Sequence, residues 1–293
     1  MIIENQTGNI KLKHLTIIGV GLIGGSLAAA VKKANPAVKI VGCGRNEANL
    51  QKAVDLGVID HYETDIQTAV SWAEIVVVAV PLGAMRNVFT SMLAGLPDNA
   101  VVTDVGSAKG SVVNEVRETM GDLFSRFVPA HPIAGSEKSS VLHARSDLYH
   151  DRYVILTPMD STSDSAVEQV KSMWALTGAR ISIMDVVKHD EVLAATSHLP
   201  HVLAYALVDT LANMDESEEI FQYAAGGFKD FTRIAASDPE MWRDICVSNS
   251  NAIIDVLDRF NQEIDQVRSE IASGNGELLM ELFTRVKAIR EKL

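Results

Sequence analysis

His131 and Ser107 are the residues of this chain best placed for proton chemistry. Ser107 lies within Asp104-Val-Gly-Ser107-Ala-Lys109-Gly110, and His131 heads His131-Pro-Ile-Ala-Gly135-Ser136-Glu137, each segment following a short apolar run. Such runs read as buried strands, and ligands of open α/β sheets sit at the carboxyl ends of strands. His131, Ser107 and Lys109 then point into one crevice. His131 is the acid/base candidate, because an ordinary imidazole titrates near pH ~6.5. A histidine that merely caps a loop would satisfy the same position. Further on, Ser197-His198-Leu-Pro200-His201 sets Ser197 and His201 four apart, on one helix face. No nearby carboxylate or cysteine completes a coordination shell around His198 and His201, so no metal is expected. In Gly226-Gly227-Phe228-Lys229-Asp230-Phe231-Thr232-Arg233, two cations stand four apart and suit a carboxylate. The competing reading is a surface salt-bridge lattice with Asp230 and Glu240.

A second cluster is built from glycines. Gly19-Val20-Gly21-Leu22-Ile23-Gly24 falls between a strand pattern and a helix pattern. The first glycine allows a tight turn, the second a close approach to a pyrophosphate, and the third helix–strand packing; the helix N-terminus faces the phosphates. The alternative is a glycine-rich structural turn. Val80 and Pro81, closing another apolar run, belong to the same cofactor site. At the end of the next strand, where an acidic residue would hold the 2′-hydroxyl of NAD, the sequence has Gly42-Cys43-Gly44-Arg45-Asn46. Gly44 removes that carboxylate and Arg45 can meet a 2′-phosphate, so NADP is mildly favoured over NAD. A solvated Arg45 beside bound NAD is the alternative.

The elements that must position these groups change character along the chain. Only four of the 19 glycines, Gly226, Gly227, Gly274 and Gly276, fall after residue 185. Before that point, apolar runs at 15–18, 39–42, 74–80, 100–104, 126–129 and 153–156 alternate with helical patterns at 22–33, 47–56, 84–94, 111–120 and 165–177. That alternation predicts a Rossmann-type α/β domain with a mostly parallel sheet over residues 1–185. Residues 186–293 predict an all-helical domain: 190–214 bent at Pro200, then 239–273 and 277–292. So much apolar helix surface would be exposed in a monomer that a homodimer is expected. Composition fits a soluble globular protein, with 47% hydrophobic and 22% charged residues in 293. The net charge of −12 argues against nucleic acid or an anionic membrane as partner. Two separated cysteines, no leader-like N-terminus and no apolar run long enough to span a bilayer point to the cytoplasm.

Taken in order, these motifs, together with Asp238-Pro-Glu-Met-Trp242-Arg-Asp244, resemble the prephenate/arogenate (cyclohexadienyl) dehydrogenase family of tyrosine biosynthesis from about Leu12 to Val286. The resemblance implies NAD(P)+-dependent oxidative decarboxylation of prephenate to 4-hydroxyphenylpyruvate, or of arogenate to tyrosine. It implies that His131 takes the ring hydroxyl proton and that Ser107 orients that hydroxyl. Ser197, His201 and Gly226 would line the substrate pocket, Lys229 and Arg233 would pair with substrate carboxylate, and Glu137 would stand at the entrance. Trp242 would reach in from the partner subunit. With the sequence ending at Leu293, neither a fused chorismate mutase domain nor a regulatory domain is expected. A β-hydroxyacid dehydrogenase or imine reductase of similar build is the competing enzyme, with Lys188 as its catalytic lysine; a non-catalytic NADPH-binding sensor is a third.

Overall fold

The computed structural model describes residues 2–3, 12–135, 138 and 140–292. Ten strands occur in it: β1 (Ile2–Ile3), β2 (His14–Ile18), β3 (Lys39–Cys43), β4 (His61–Glu63), β5 (Ile75–Val78), β6 (Val101–Asp104), β7 (Phe127–Val128), β8 (Ala130–Pro132), β9 (Tyr153–Leu156) and β10 (Arg180–Ile183). Six of them form one sheet in the order β4-β3-β2-β5-β6-β7, parallel throughout. The direction of winding reverses between β2 and β5, which opens the crevice where such sheets bind ligands. Helices α1 (Leu22–Ala34), α2 (Glu47–Asp55), α3 (Ile66–Val70), α4 (Leu82–Met92), α5 (Gly110–Met120) and α6 (Asp164–Ala175) alternate with the strands. Alternate residues of β2 and β5 enter two different cores, Ile17, Ile75 and Val77 on one face and Ile18, Val76 and Val78 on the other. That two-sided burial explains why these strands read as unbroken apolar runs.

The strand at 153–156 does not extend this parallel sheet, as its pattern suggested. It belongs to a second, four-stranded sheet in the order β1-β10-β9-β8, in which β8 and β9 are antiparallel. The reason is the connection: no α-helix lies between β8 and β9 among the described residues, and a parallel return needs such a crossover. Pro129, without an N–H to donate, separates β7 from β8, so one extended segment passes from the large sheet to the small one. His131 is therefore central to a strand, not at the end of one. Strands β4 and β10 and helix α3 escaped the sequence reading because they are short, and β4 and β10 are polar at alternate positions.

After Ile183 the described residues are helical: α7 (Val186–Leu193), α8 (Leu199–Ala212), α9 (Ser217–Gln222), α10 (Gly226–Thr232), α11 (Pro239–Ser248), α12 (Ser250–Ser273) and α13 (Gly276–Arg290). The expected bend at Pro200 is a π-helical turn at Ala194–His198, immediately before α8. Proline clashes with the carbonyl four residues back, and widening the preceding turn relieves this. The expected helix 239–273 is two helices, broken at Asn249, whose side chain is used in the site described next. Along α12 and α13, Ile264, Ile271, Met280, Phe283, Val286 and Ile289 are exposed.

Candidate active site

Three glycines of the cofactor loop answer to geometry. Gly19 has φ +99°, and a Cβ there would lie 2.2 Å from the Ala79 carbonyl oxygen. A Cβ at Gly24 would lie 2.2 Å from the Gly19 carbonyl oxygen, so only glycine lets α1 start this close to the strand. Gly21 is the N-cap of α1 and supplies no side-chain cap, and the first turn carries no acidic residue. The amides of Leu22, Ile23 and Gly24 thus stand at a positive helix end that suits phosphate. Val80 and Pro81 flank this loop after β5, Pro81 serving as the N-cap of α4. The residues present fit a dinucleotide.

At the end of β3, Asn46 caps α2 by accepting from Asn49 N (3.0 Å), and Asn49 Nδ2 donates to the Val20 carbonyl (2.8 Å). The turn bearing Gly44 and Arg45 is thereby tied to the glycine loop. Arg45 is exposed. Glu47, the first carboxylate after β3, accepts from the Tyr62 hydroxyl at 3.0 Å.

The acid/base candidate lies across the crevice. His131 is buried, with its Nδ1 2.9 Å from His189 Nε2. Among the described residues, its Nε2 has no hydrogen bond. His189 Nδ1 lies 2.8 Å from Asp190 Oδ1, and Asp190 accepts from the Lys109 and Gly110 amides, both at 2.8 Å, at the start of α5. Burial holds the His131 pKa well below the ordinary imidazole value, helped by His189, Lys109 and His198. Burial also lowers His189, against the opposing pull of Asp190. For Asp190, burial raises the pKa, but hydrogen bonds from His189 and the two amides outweigh it and leave the carboxyl below its usual value.

Lys109, expected to point into the crevice, is instead closed off beneath it. Its side chain is fully buried, its ammonium pairs with Asp104 and donates to the Ala130 carbonyl (2.7 Å). Asp104 also accepts from Ala130 N (3.1 Å) and Gly106 N (2.7 Å). A buried ammonium needs a paired anion, and this pair staples the Ser107 turn to the strand that carries His131. Ser107 remains half-buried at the crevice, and its main chain lies against the His198 ring.

His198 turns inward from the π turn. Asn249 Nδ2 donates to His198 Nδ1 (3.1 Å) and to the Asp190 carbonyl (2.9 Å), and burial pushes the His198 pKa down to about 4. His201, next along α8, donates from Nδ1 to the Ser197 carbonyl (2.9 Å) and stacks on Trp242, ring centroids 3.7 Å apart and 19° between planes. This corrects the expectation that Trp242 comes from a partner. Trp242 is buried within its own chain, against the His198 and His201 rings. The Tyr205 hydroxyl donates to the Ser237 carbonyl (2.8 Å), holding that turn against α8. Arg233 begins the turn and its charge lowers the His201 pKa, after burial and against the Ser197 contact. Gly226 and Lys229 lie on exposed α10. Glu240 is 3.3 Å from Arg243, so the surface lattice proposed for it forms elsewhere on α11. Glu137 lies outside the described residues. No group of three or more His, Cys, Asp or Glu suited to a metal occurs among the described residues.

The chain matches the family model "Prephenate dehydrogenase, nucleotide-binding domain" over residues 27–183 and "Prephenate dehydrogenase, dimerization domain" over residues 185–285. The chain belongs to the prephenate dehydrogenase family. It is an oxidoreductase that uses a nicotinamide dinucleotide. Cyclohexadienyl dehydrogenase of Zymomonas mobilis is 38% identical, covering 95% of each chain. Prephenate dehydrogenase of Bacillus subtilis is 36% identical, over 95% of this chain and 76% of the relative. The crystal structure of prephenate dehydrogenase from Aquifex aeolicus, with hydroxyphenyl propionate and NAD+, superposes with a TM-score of 0.92 at 37% identity, covering 97% of this chain and 99% of that one. The competing lysine enzymes lose their support: Lys188 is exposed on α7, 3.5 Å from Glu191. One position further, and about 100° around the helix, His189 is the residue that faces inward. It and Asp190 were missed in the sequence, although an adjacent His-Asp pair opening the first interdomain helix was the available signal.

Proposed function

We propose that the chain catalyses the oxidative decarboxylation of prephenate or arogenate with NADP+ or NAD+, in the cytoplasm. The observation that carries this reading is His131, buried beside the crevice with its pKa held well below the ordinary imidazole value, one ring nitrogen engaged by His189 and the other without a hydrogen bond among the described residues. Gly19, Gly21, Leu22, Ile23 and Gly24 would hold the pyrophosphate, Val80 and Pro81 would border the nicotinamide side, and Gly44 and Arg45 would meet the adenosine ribose. When bound, the nicotinamide ring supplies the hydride acceptor for the ring carbon that bears the hydroxyl. His131 takes the hydroxyl proton at Nε2, and Ser107 orients that hydroxyl. Ser197, His201 and Trp242 wall the ring, with Gly226 at the start of α10, and Arg233 with Lys229 holds the substrate carboxylate. Glu137 is assigned to the entrance by its place in the family motif. Loss of CO2 makes the ring aromatic, so the overall step is effectively irreversible. Residues 1–185 are assigned to the cofactor unit and 186–293 to the substrate and dimerisation unit.

A panel of prephenate, arogenate and simple hydroxyacids, each with NAD+ and NADP+, tests the reaction and the cofactor together. Turnover only of hydroxyacids would overturn the reading. NADP+ is expected to serve at least as well as NAD+, because the turn presents Arg45 and no free carboxylate. Coulomb attraction at about 4 Å is worth ~1 kcal/mol in water and ~4 at an effective dielectric of 20. Gly44→Asp is sterically clean, since a Cβ there meets nothing closer than Leu50 at 3.7 Å. It should shift kcat/KM toward NAD+; a wild-type preference for NAD+ above about tenfold (~1.4 kcal/mol), unchanged in the variant, would refute this loop's role.

The apolar residues exposed along α12 and α13 support a homodimer, as does the match to a dimerization-domain model. Sedimentation at assay concentration should give a dimer. A fully active monomer would rule it out.

A further inference from the structure

We propose that His189 and Asp190 are positioning residues that hold His131 in the tautomer whose Nε2 is bare. The inference rests on the functional reading above only for what the bare nitrogen then does. Hydrogen bonding settles the tautomer in three steps, beginning from the carboxylate. Asp190 accepts from two backbone amides, Lys109 N and Gly110 N, which have only a proton to give. Against burial, these bonds and the His189 contact hold the carboxyl below its usual range, so it is ionised near neutral pH, and an ionised carboxylate can face only a donor. His189 Nδ1, 2.8 Å from Asp190 Oδ1, therefore carries the proton. His189 has no exposed surface, and desolvation disfavours a second proton on its ring. Its Nε2 is thus a lone pair. That lone pair lies 2.9 Å from His131 Nδ1, which must be the donor. The neutral His131 ring has its single proton at Nδ1, and Nε2 is left as the base.

The same chain answers the question of charge. When His131 Nε2 accepts the substrate hydroxyl proton, the ring becomes a cation inside a buried pocket. The Nδ1 proton can then pass to His189 Nε2, so that the positive charge ends on His189, against the Asp190 carboxylate. No proton is gained or lost in that transfer. Of the charged groups around the pair, Lys109 opposes a cation on either ring, and Asp190 and Asp104 favour one on His189. Lys109 and Asp104 form a closed ion pair behind the strand, and His198, from the π turn, spends its Nδ1 accepting from Asn249. None of these offers His131 Nδ1 an alternative partner. Asn249 also grips the Asp190 carbonyl, which ties α7 to the break between α11 and α12, while the Asp190 side chain ties it to the start of α5. The arrangement spans both halves of the chain: His131 comes from the small sheet, and His189 and Asp190 come from the first helix beyond it.

The test is direct. In the full chain labelled with 15N-histidine, two-bond 15N–1H correlations at neutral pH report which nitrogen of each ring is protonated, with His131→Asn and His189→Gln spectra providing assignment. His131 and His189 should each show a protonated Nδ1 and a bare Nε2. A His131 protonated at Nε2, or averaging between tautomers, overturns the proposal. His189→Phe keeps the ring volume and removes the acceptor; it should release His131 into averaging and lower kcat roughly 10- to 100-fold, as loss of an outer partner does for other imidazoles. KM should stay within about twofold. His189→Gln, whose amide oxygen can accept from His131 Nδ1, should restore most of the loss. Unchanged turnover in His189→Phe, or Gln no better than Phe, would also overturn it. A chain with the expected tautomers that turned over neither cyclohexadiene would overturn the functional reading while supporting this one.

Discussion

His131→Asn should lower kcat by roughly 10²- to 10⁴-fold, the usual worth of a positioned acid–base group, while the dinucleotide still binds with unchanged affinity. The asparagine amide can occupy the Nδ1 position and keep the contact to His189, but it is too short to place a proton acceptor where Nε2 stands. Packing is therefore nearly preserved and proton removal is lost. The wild-type pH profile carries a sign as well. Burial, with His189, Lys109 and His198, depresses the His131 pKa, and the reaction needs the neutral ring. Wild-type turnover should thus persist below the ordinary imidazole range of pH ~6.5 and fall only as pH drops through the depressed value. In His131→Asn that acid limb should disappear. Steady-state kinetics across pH, with cofactor titration by fluorescence, reads both; near-normal turnover in the variant would remove His131 from the chemistry.

Arg233→Ala should raise the KM for substrate far more than it changes cofactor affinity. Removing one partner of a charged contact in a desolvated interface costs about 2–5 kcal/mol. Arg233 is exposed in this chain, so the low end applies, about 2 kcal/mol or roughly 30-fold in KM. The position rests on two contacts. Its charge reaches the His201 ring, and Tyr205, one turn further along α8, holds the following segment at Ser237. Arg233→Lys should recover only part of the loss, because an ammonium cannot grip a carboxylate with two parallel bonds. A KM within about twofold of wild type would assign Arg233 and Lys229 to the helix surface instead.

What the sequence determined by itself was whatever depends on neighbours along the chain. The cofactor loop was legible because its constraint is local: Gly19 needs positive φ and Gly24 needs a missing Cβ. The buried strands β2, β3, β5 and β6 were legible because burial on both faces leaves an unbroken apolar run. His131 and Ser107 stood out because each follows such a run. Contacts between distant segments left no comparable trace. Lys109 reads as a cation pointing into the crevice beside Ser107, and only the fold shows Asp104 neutralising it under Ala130. Trp242 reads as a residue available to any subunit until α11 is seen packed back against α8. Likewise Lys188 and His189 are equivalent in sequence, each a basic residue near the start of a helix. Which one faces His131 depends on the rotation of α7, and that rotation is set by Asp190 capping α5, a bond between residues 80 positions apart. A capping carboxylate satisfies orphan amides wherever the chain brings them together, so the tertiary structure alone decided which imidazole supports the base.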